Sequence, residues 1–246
     1  KKLDWKNRVS GISLSKNQII LDEFLSTLPF KLTSAQLRCV NEISDDLSSG
    51  IPMRRVLQGD VGSGKTLVAL SGMIQAASNG YQSAMMVPTE VLSEQHFMTL
   101  QNFFSSYSKP LIEGLPNVVE TEIAGSERKL TIALLNGSLR NREKGITQEI
   151  IRSGQADIIV GTHALIQDSV DIPNLALLVV DEQHRFGVNQ KNVFDRLEPR
   201  PHLLLMSATP IPRSLYFTMI GDLDLSVIDQ MPVGRKPVQT YVYNKD

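Results

Sequence analysis

Short apolar stretches alternate with helical patterns along most of the chain. From residue 51 onward, runs typical of buried strands are separated by segments in which apolar residues recur at helical spacing. The predicted strands cover residues 53–58, 83–87, 131–135, 157–160, 175–180 and 202–206. The predicted helices between them cover residues 65–78, 91–104, 141–153, 189–197 and 211–220. This alternation predicts one α/β domain with a mostly parallel sheet and helices on both faces.

Two regions depart from this alternation. The first fifty residues contain helical stretches at 16–27 and 34–48, on either side of Leu28-Pro29-Phe30, where proline breaks the helical pattern. We expect these helices to pack on the sheet. Residues 105–130 are of mixed polarity and contain glycine and proline, which predicts a long connection or insertion and not a core element.

Composition narrows the class of protein without indicating its chemistry. The chain has 246 residues, 41% of them hydrophobic and 21% charged, which is typical of a soluble globular protein. Cys39 is the one cysteine, and no apolar run approaches the roughly 20 residues that cross a bilayer, so we expect a reducing, soluble compartment. The net charge of −1 gives no bulk attraction to nucleic acid, so any DNA contact requires a local groove. The chain opens on Lys1-Lys2 without methionine or a leader, and we expect it to be a piece of a longer protein.

A phosphate-binding motif lies between the first predicted strand of the sheet and the helix that follows it. Residues Gly59 to Thr66 read Gly-Asp-Val-Gly-Ser-Gly-Lys-Thr and fill every fixed position of a P-loop. We expect Lys65 to reach the β and γ phosphates of a nucleoside triphosphate, Thr66 to hold Mg²⁺, and Gly62 and Gly64 to let the backbone approach the anion. The candidate nucleotide-binding residues of the loop are Gly59, Gly62, Ser63, Gly64, Lys65 and Thr66.

Two carboxylates follow the strand at 175–180 directly. Asp181 and Glu182 stand where the carboxyl ends of parallel strands gather ligands. We expect Asp181 to hold Mg²⁺, mostly through water, and Glu182 to polarise the water that attacks the γ phosphate. The catalytic candidates are therefore Lys65, Asp181 and Glu182.

The segment that begins with these carboxylates, Asp181-Glu182-Gln183-His184-Arg185-Phe186-Gly187, resembles the DEAH-like box of superfamily-two helicases in the form used by the RecG branch-migrating DNA helicases. The resemblance extends over most of the chain. Further segments similar to motifs of this family lie at 30–36 (the adenine-side glutamine motif), 88–92 with 94–96, 161–166, 207–213, 221–224 and 232–237. Asn136-Gly137-Ser138 stands where Thr-Gly-Ser is more usual.

The resemblance implies roles for further residues. Phe30 and Gln36 would contact adenine, and His184 would couple the nucleotide site to Ser207 and Thr209. The residues on the DNA side would be Thr89, Ser138, Thr162 and His163. Two alternatives stay open here. The first concerns Thr89, Ser138 and Thr162, whose hydroxyls precede helices and would equally serve as helix caps. The second concerns His96 and His163, which are interpreted as DNA-side or packing residues because their spacing fits no zinc site.

A motor of this family would couple ATP hydrolysis, with Mg²⁺, to movement along duplex DNA. By resemblance its partners would be DNA forks and branched recombination intermediates, in DNA repair and recombination, and we expect a monomer without membrane contact. We expect residues 1–50 to form an N-terminal helical segment with the glutamine motif, residues 51–230 a RecA-like ATP-binding lobe, and residues 231–246 a connector toward a second RecA-like lobe, with a strand at 240–243. A wedge domain would precede Lys1. The expected location is the cytoplasm of a bacterium, or an organelle if the parent chain is eukaryotic.

Three other functions fit the sequence less well. The motor of the transcription-repair coupling factor shares the P-loop and the box, but it is expected to carry Asp-Glu-Glu-His where this chain has Asp-Glu-Gln-His. A nucleotide-switch GTPase needs Asn-Lys-x-Asp, and Asn244-Lys245-Asp246 has the wrong spacing. A non-catalytic ATP-binding module would not need Lys65, Thr66, Asp181 and Glu182 intact. The sequence therefore favours the first motor lobe of a RecG-like helicase.

Overall fold

A nine-stranded sheet organises the part of the chain that the computed structural model describes, namely residues 11–104, 108–122, 129–166, 170–181, 199–209 and 223–232. The strands are β1 Arg54–Gly59, β2 Gln82–Met86, β3 Lys109–Pro110, β4 Val118–Glu122, β5 Lys129–Leu135, β6 Ile158–Gly161, β7 Leu175–Asp181, β8 His202–Ser207 and β9 Asp224–Ile228. The helices in the same ranges are α1 Gln18–Ser26, α2 Ser34–Ser48, α3 Lys65–Ser78, α4 Glu90–Phe103 and α5 Asn141–Arg152, with a 3₁₀ turn at His163–Ile166.

The sheet is parallel except at one edge. Its strand order is β3-β4-β5-β6-β2-β7-β8-β1-β9. The pairs from β5 to β9 are all parallel, whereas β4 runs antiparallel to β5, and β3 to β4. The α/β fold class with a mostly parallel sheet is therefore confirmed.

Both faces of the sheet are covered, which explains why its strands are apolar without alternation. In β7, Leu177 and Val179 join the cluster that contains α2, α3 and α4. Leu178 and Val180 point the opposite way and join a second cluster that contains Ile150 and Ile151 of α5. Successive side chains of a strand point to opposite faces, so a strand buried on both faces needs apolar residues at every position.

Helix α3 lies between α2 and the sheet and is buried along most of its length. A close approach at Gly72 makes this packing possible: a Cβ atom there would lie 3.3 Å from Ile43 of α2 and 3.3 Å from Leu177 of β7. The N-terminal helices therefore share the main core with the sheet, as expected from the sequence. The boundaries of the three predicted parts of the chain stay a prediction.

The prediction for residues 105–130 was wrong in part. Strand β4 lies in this region and pairs with β5 over five residue pairs, from Val118 opposite Ala133 to Glu122 opposite Lys129. Val118 and Val119 are buried, one in each core cluster, so the segment is part of the core. The strand escaped prediction because it contains two glutamates among few apolar residues. Strand β9, which pairs with β1, was also not predicted.

A buried histidine joins the N-terminal segment to the sheet. Nδ1 of His202 accepts a hydrogen bond from the Met53 N–H at 2.9 Å, and Nε2 donates to the Ile12 carbonyl at 2.7 Å. This arrangement needs the neutral ring, because a protonated Nδ1 cannot accept. The pKa of His202 is lowered, and the largest cause is burial, which disfavours the charged ring.

A second polar cluster joins α2 to two strands. Arg55 of β1 is almost fully buried and pairs with Asp46 at 2.8 Å and Glu42 at 3.3 Å. It also donates to the Ser226 hydroxyl of β9 at 2.8 Å. The cluster fixes the edge strand β9 against the helix that carries Gln36.

The predicted helices at 189–197 and 211–220 and the predicted strand at 240–243 lie outside the described residues. Within the described ranges, none of the helices has the length and apolar character needed to cross a bilayer.

Candidate nucleotide-binding site

Three neighbouring strands bring the predicted phosphate and metal residues to one edge of the sheet. β8 lies between β7 and β1, with Asp181 of β7 opposite Met206 and Gln58 of β1 opposite Ser207. All three strands run in the same direction, so the P-loop after β1, Asp181 at the end of β7 and Ser207 at the end of β8 meet at the carboxyl edge. Ligands of open α/β sheets bind at this edge.

The P-loop has the backbone conformation that its glycines permit. Gly62 and Gly64 have φ values of 78° and 89°, in the left-handed region that side chains with a Cβ rarely adopt. A Cβ at Gly59 would lie 2.5 Å from the Ser63 hydroxyl. Helix α3 begins at Lys65, directly after Gly64, so the N–H groups of its first turn lie at the loop, where an anion can bind.

Lys65 lies along its own loop. Its Nζ donates to the carbonyl oxygens of Gly59 at 2.7 Å and Asp60 at 3.0 Å. These contacts hold the ammonium group over the loop, at the end of the helix whose first N–H groups favour negative charge. This position is compatible with a cation that neutralises phosphate, and the contact of Lys65 with the β and γ phosphates stays a prediction.

Gln36 is buried and fixes the P-loop to α2. Its Nε2 donates to the Ser63 carbonyl at 2.8 Å, while its Oε1 accepts from the Thr33 N–H at 2.8 Å. The Gln36 N–H donates in turn to the Thr33 hydroxyl, which completes a capping box at the start of α2. A Cβ at Gly64 would clash with the Gln36 amide. Gln36 is only 2% exposed, so its side chain stabilises the P-loop as well as lining the cleft. The predicted contact of Gln36 with adenine stays a prediction.

A cleft of about 840 Å³ joins these elements. Its lining includes residues of the P-loop, the metal candidates and the adenine-side candidates: Phe30, Gln36, Gly62, Gly64, Lys65, Thr66 and Asp181. Phe30 is 46% exposed, which leaves an aromatic face available to a ligand. The volume lies within the range of small-molecule sites.

ATP and Mg²⁺ fit the residues that line this cleft. The Ser63 hydroxyl is buried in the loop without a hydrogen-bond partner among the described residues, as expected where a polar ligand completes the site. The Thr66 hydroxyl and the Asp181 carboxylate would supply hard oxygen ligands of the kind that Mg²⁺ prefers, and few protein ligands would suffice because Mg²⁺ keeps several waters.

Asp181 has a partner that the sequence did not predict. The Nε2 of His96, on α4, lies 3.0 Å from Asp181 Oδ2. The side chains are 13% and 17% exposed, respectively. The expectation that His96 is a DNA-side or packing residue was therefore incomplete, because sequence spacing alone does not bring α4 against the end of β7.

The sequence of the chain matches a known protein family. A family model described as DEAD/DEAH box helicase matches residues 33–216. The chain belongs to the DEAD/DEAH box helicase family. The match includes the P-loop and Asp181, and it extends from the cap of α2 beyond the end of β8.

Relatives of this helicase lobe confirm the resemblance to RecG. The chain is 48% identical over 240 residues to the ATP-dependent DNA helicase RecG of Streptococcus pneumoniae, covering 97% of this chain and 32% of that protein. It is 42% identical over 241 residues to the RecG of Bacillus subtilis, covering 98% and 32%. The chain thus spans about a third of the length of the curated relatives it matches.

Solved structures are similar over the same region. The structure of RecG bound to a three-way DNA junction has a TM-score of 0.75 and 39% identity, covering 97% of this chain and 29% of that chain. The helicase MrfA bound to DNA and AMPPNP has a TM-score of 0.61 at 17% identity, covering 92% and 31%. The second similarity shows the fold alone.

The candidate DNA-side residues of the helicase lobe occupy the adjacent part of the same sheet edge. β6 lies between β5 and β2, and Leu135 and Met86 both stand opposite Gly161. Ser138, Thr89 and Thr162 follow these three strand ends, so the structure brings them to neighbouring positions. His163 opens the 3₁₀ turn after Thr162 and is partly exposed.

The hydroxyls of these residues have different local contacts. Thr89 caps α4, since its Oγ1 accepts from the Leu92 N–H at 3.3 Å. Ser138 does not cap α5; its hydroxyl lies 3.0 Å from Glu94 Oε1 and 2.8 Å from Asn136 Oδ1. At Thr162 the contact is made by the backbone and not by the hydroxyl: its carbonyl oxygen accepts a hydrogen bond from the Leu165 N–H at 3.0 Å. Their contacts with DNA stay a prediction.

The coupling residues are only partly within the described ranges. After β8, the Thr209 N–H donates to Ser207 Oγ at 3.3 Å, and the same hydroxyl donates to the Thr209 carbonyl at 3.0 Å. These bonds form a tight turn beside the P-loop strand. Glu182 and His184 lie outside the described residues, so their predicted roles are not placed.

Proposed function

We propose that this chain is the ATP-binding motor lobe of an ATP-dependent DNA helicase that remodels stalled forks and branched recombination intermediates. The observation that carries the proposal is the shared cleft in which Lys65, Thr66 and Asp181 meet at the carboxyl edge of the sheet. The named relatives, which are ATP-dependent DNA helicases, and the RecG structure with a three-way DNA junction support the choice of substrate. They favour a RecG-type motor over that of a transcription-repair coupling factor.

Each residue of the cleft would contribute a separate part of ATP binding. Lys65 and the N-terminal end of α3 would neutralise the phosphates, and Thr66 and Asp181 would hold Mg²⁺, which supplies charge neutralisation when bound. Phe30 would stack on adenine, with Gln36 beside it. Glu182, directly after Asp181 in sequence, would polarise the attacking water.

Hydrolysis would need a second RecA-like lobe that closes over this cleft. The chain spans about a third of its relatives' length, which leaves room in such proteins for that lobe and for a wedge domain that recognises the junction. Thr89, Ser138, Thr162 and His163 would contact the DNA backbone, because hydroxyls and helix N-termini bind phosphate without reading sequence. We propose that the motor acts as a monomer in the bacterial cytoplasm.

Equilibrium binding of ATP in the presence of Mg²⁺ tests the nucleotide site directly. Lys65→Ala should weaken binding strongly, because it removes the cation over the loop. Lys16→Ala is the matched control, since Lys16 is a surface residue paired with Asp45 and lies outside the cleft. Equal affinity of the wild type and the Lys65→Ala variant would contradict the assignment.

A further inference from the structure

Helix α4 turns one side toward the nucleotide cleft. Thr99 and Phe103 follow His96 by three and seven residues, and this spacing places the three side chains on one face of the helix. Thr99 and Phe103 line the cleft, and His96 contacts Asp181. The adjacent face, with Phe97 and Leu100, is buried in the main core. The core therefore holds α4 in place while its cleft-facing side reaches the metal candidate.

The contact between His96 and Asp181 has a defined direction. An ionised carboxylate can only accept, so the Nε2–H of His96 donates to Asp181 Oδ2 across 3.0 Å. Both side chains are more than four-fifths buried, which limits competition from water. A hydrogen bond to one oxygen restricts rotation of the carboxylate and so fixes the direction in which it meets a cation.

The His96–Asp181 contact lies between the candidate DNA-side strands and the nucleotide-side strands of the sheet. β2, which leads into α4, pairs directly with β7, which ends at Asp181. Thr89 follows β2 itself, and the ends of β6 and β5, followed by Thr162 and Ser138, lie beyond it. On the β7 side lie the ends of β8 and β1, which carry Ser207 and the P-loop. The His96–Asp181 hydrogen bond thus joins the candidate DNA edge to the nucleotide edge, through a helix that begins next to Thr89.

We propose that His96 is a positioning residue that orients Asp181 for Mg²⁺ and ties the metal site to helix α4. The inference rests on the proposed nucleotide function and adds to it the residue that controls its metal dependence. Partners that orient a metal-binding carboxylate typically contribute 10–100-fold to metal affinity or activity. Loss of His96 should therefore raise the Mg²⁺ requirement of the site by a factor of this order.

The test compares three variants of the full chain. His96→Leu removes the donor and keeps a side chain that favours helix. His96→Gln keeps a terminal N–H on a side chain of similar length. Asn102→Leu is the control, because Asn102 is an exposed residue of the same helix. A fluorescent ATP analogue serves as the probe, titrated first in EDTA and then at fixed nucleotide with increasing Mg²⁺.

We expect His96→Leu to raise the half-saturating Mg²⁺ concentration about 10–100-fold while leaving nucleotide affinity in EDTA unchanged. His96→Gln should recover at least part of the difference, and Asn102→Leu should match the wild type. Unchanged Mg²⁺ dependence in His96→Leu would overturn the inference and leave the proposed function standing. An equal loss in EDTA and in Mg²⁺ for both His96 variants would also overturn it, because His96 would then only pack against the cleft. A wild-type chain without Mg²⁺-dependent binding would refute the proposed function itself.

Discussion

Replacing Gln36 by alanine removes two hydrogen bonds that connect α2 to the P-loop. The Thr33 N–H loses its acceptor at 2.8 Å, and the Ser63 carbonyl loses its donor at 2.8 Å. The first group is half-buried, so water can partly replace the bond, at a cost of about 0.5–1.5 kcal/mol. The second lies in a buried part of the loop, where a lost partner costs about 1–3 kcal/mol. Together these losses predict a destabilisation of roughly 3 kcal/mol.

Thermal and urea unfolding of the chain measure this effect. For a protein of this size, each kcal/mol shifts the unfolding temperature by about 2–4 °C, so Gln36→Ala should lower it by roughly 6–12 °C. Thr33→Val is the matched control: it removes the cap of α2 but leaves the loop contact, and should cost about 1 kcal/mol. A Gln36→Ala variant as stable as Thr33→Val, with weakened ATP binding alone, would refute a supporting role and leave adenine contact as the function of Gln36.

Three further predictions follow from other parts of the lobe. Burial lowers the pKa of His202 in the folded chain below the ordinary value of about 6.5, so the unfolded chain binds more protons as the pH falls below that ordinary value. The free energy of unfolding should therefore fall there by up to about 1.4 kcal/mol per pH unit. Urea unfolding between pH 7.5 and 5.5 should show a smaller loss for His202→Asn, and equal slopes for the two chains would contradict this reasoning. Arg55→Met should destabilise the chain by about 1.5–3 kcal/mol, because it removes charged hydrogen bonds to Asp46 and Glu42, although Glu42 keeps Arg38 and Ser226 as partners. Arg152→Met, at an exposed pair, should cost less than about 1 kcal/mol. Similar urea midpoints for the two variants would argue against a stabilising role of the cluster. Glu182→Gln should bind ATP normally but stop turnover in the complete motor, and a variant with wild-type hydrolysis would remove Glu182 from catalysis.

The strands and helices around the P-loop could be predicted because local signals and tertiary packing agree there. Helix α3 begins at Lys65 and ends at Ser78 as the pattern predicts, since a glycine precedes it and Asn79-Gly80 follows it. Strand β7 reads as an unbroken apolar run because both of its faces are covered. The carboxyl-edge position of Asp181 followed from the same reasoning.

The features that were missed depend on contacts between distant segments. Strand β4 is stabilised by pairing with β5, and a short strand with alternate glutamates carries little signal without its partner. The burial of Gln36 depends on α2 packing against the P-loop, 27 residues away in sequence. The His96–Asp181 bond spans 85 residues and depends on β2 lying next to β7, which the order of the strands along the chain does not reveal.

ATP hydrolysis by this chain, measured at fixed salt with and without a branched DNA and beside a direct ATP-binding assay, tests the central claim most directly. We expect the chain to bind ATP with Mg²⁺ but to hydrolyse it negligibly under both conditions, because the cleft forms only one side of the catalytic site. DNA-stimulated hydrolysis by the chain alone would show that this lobe completes the site by itself, and would contradict the two-lobe motor.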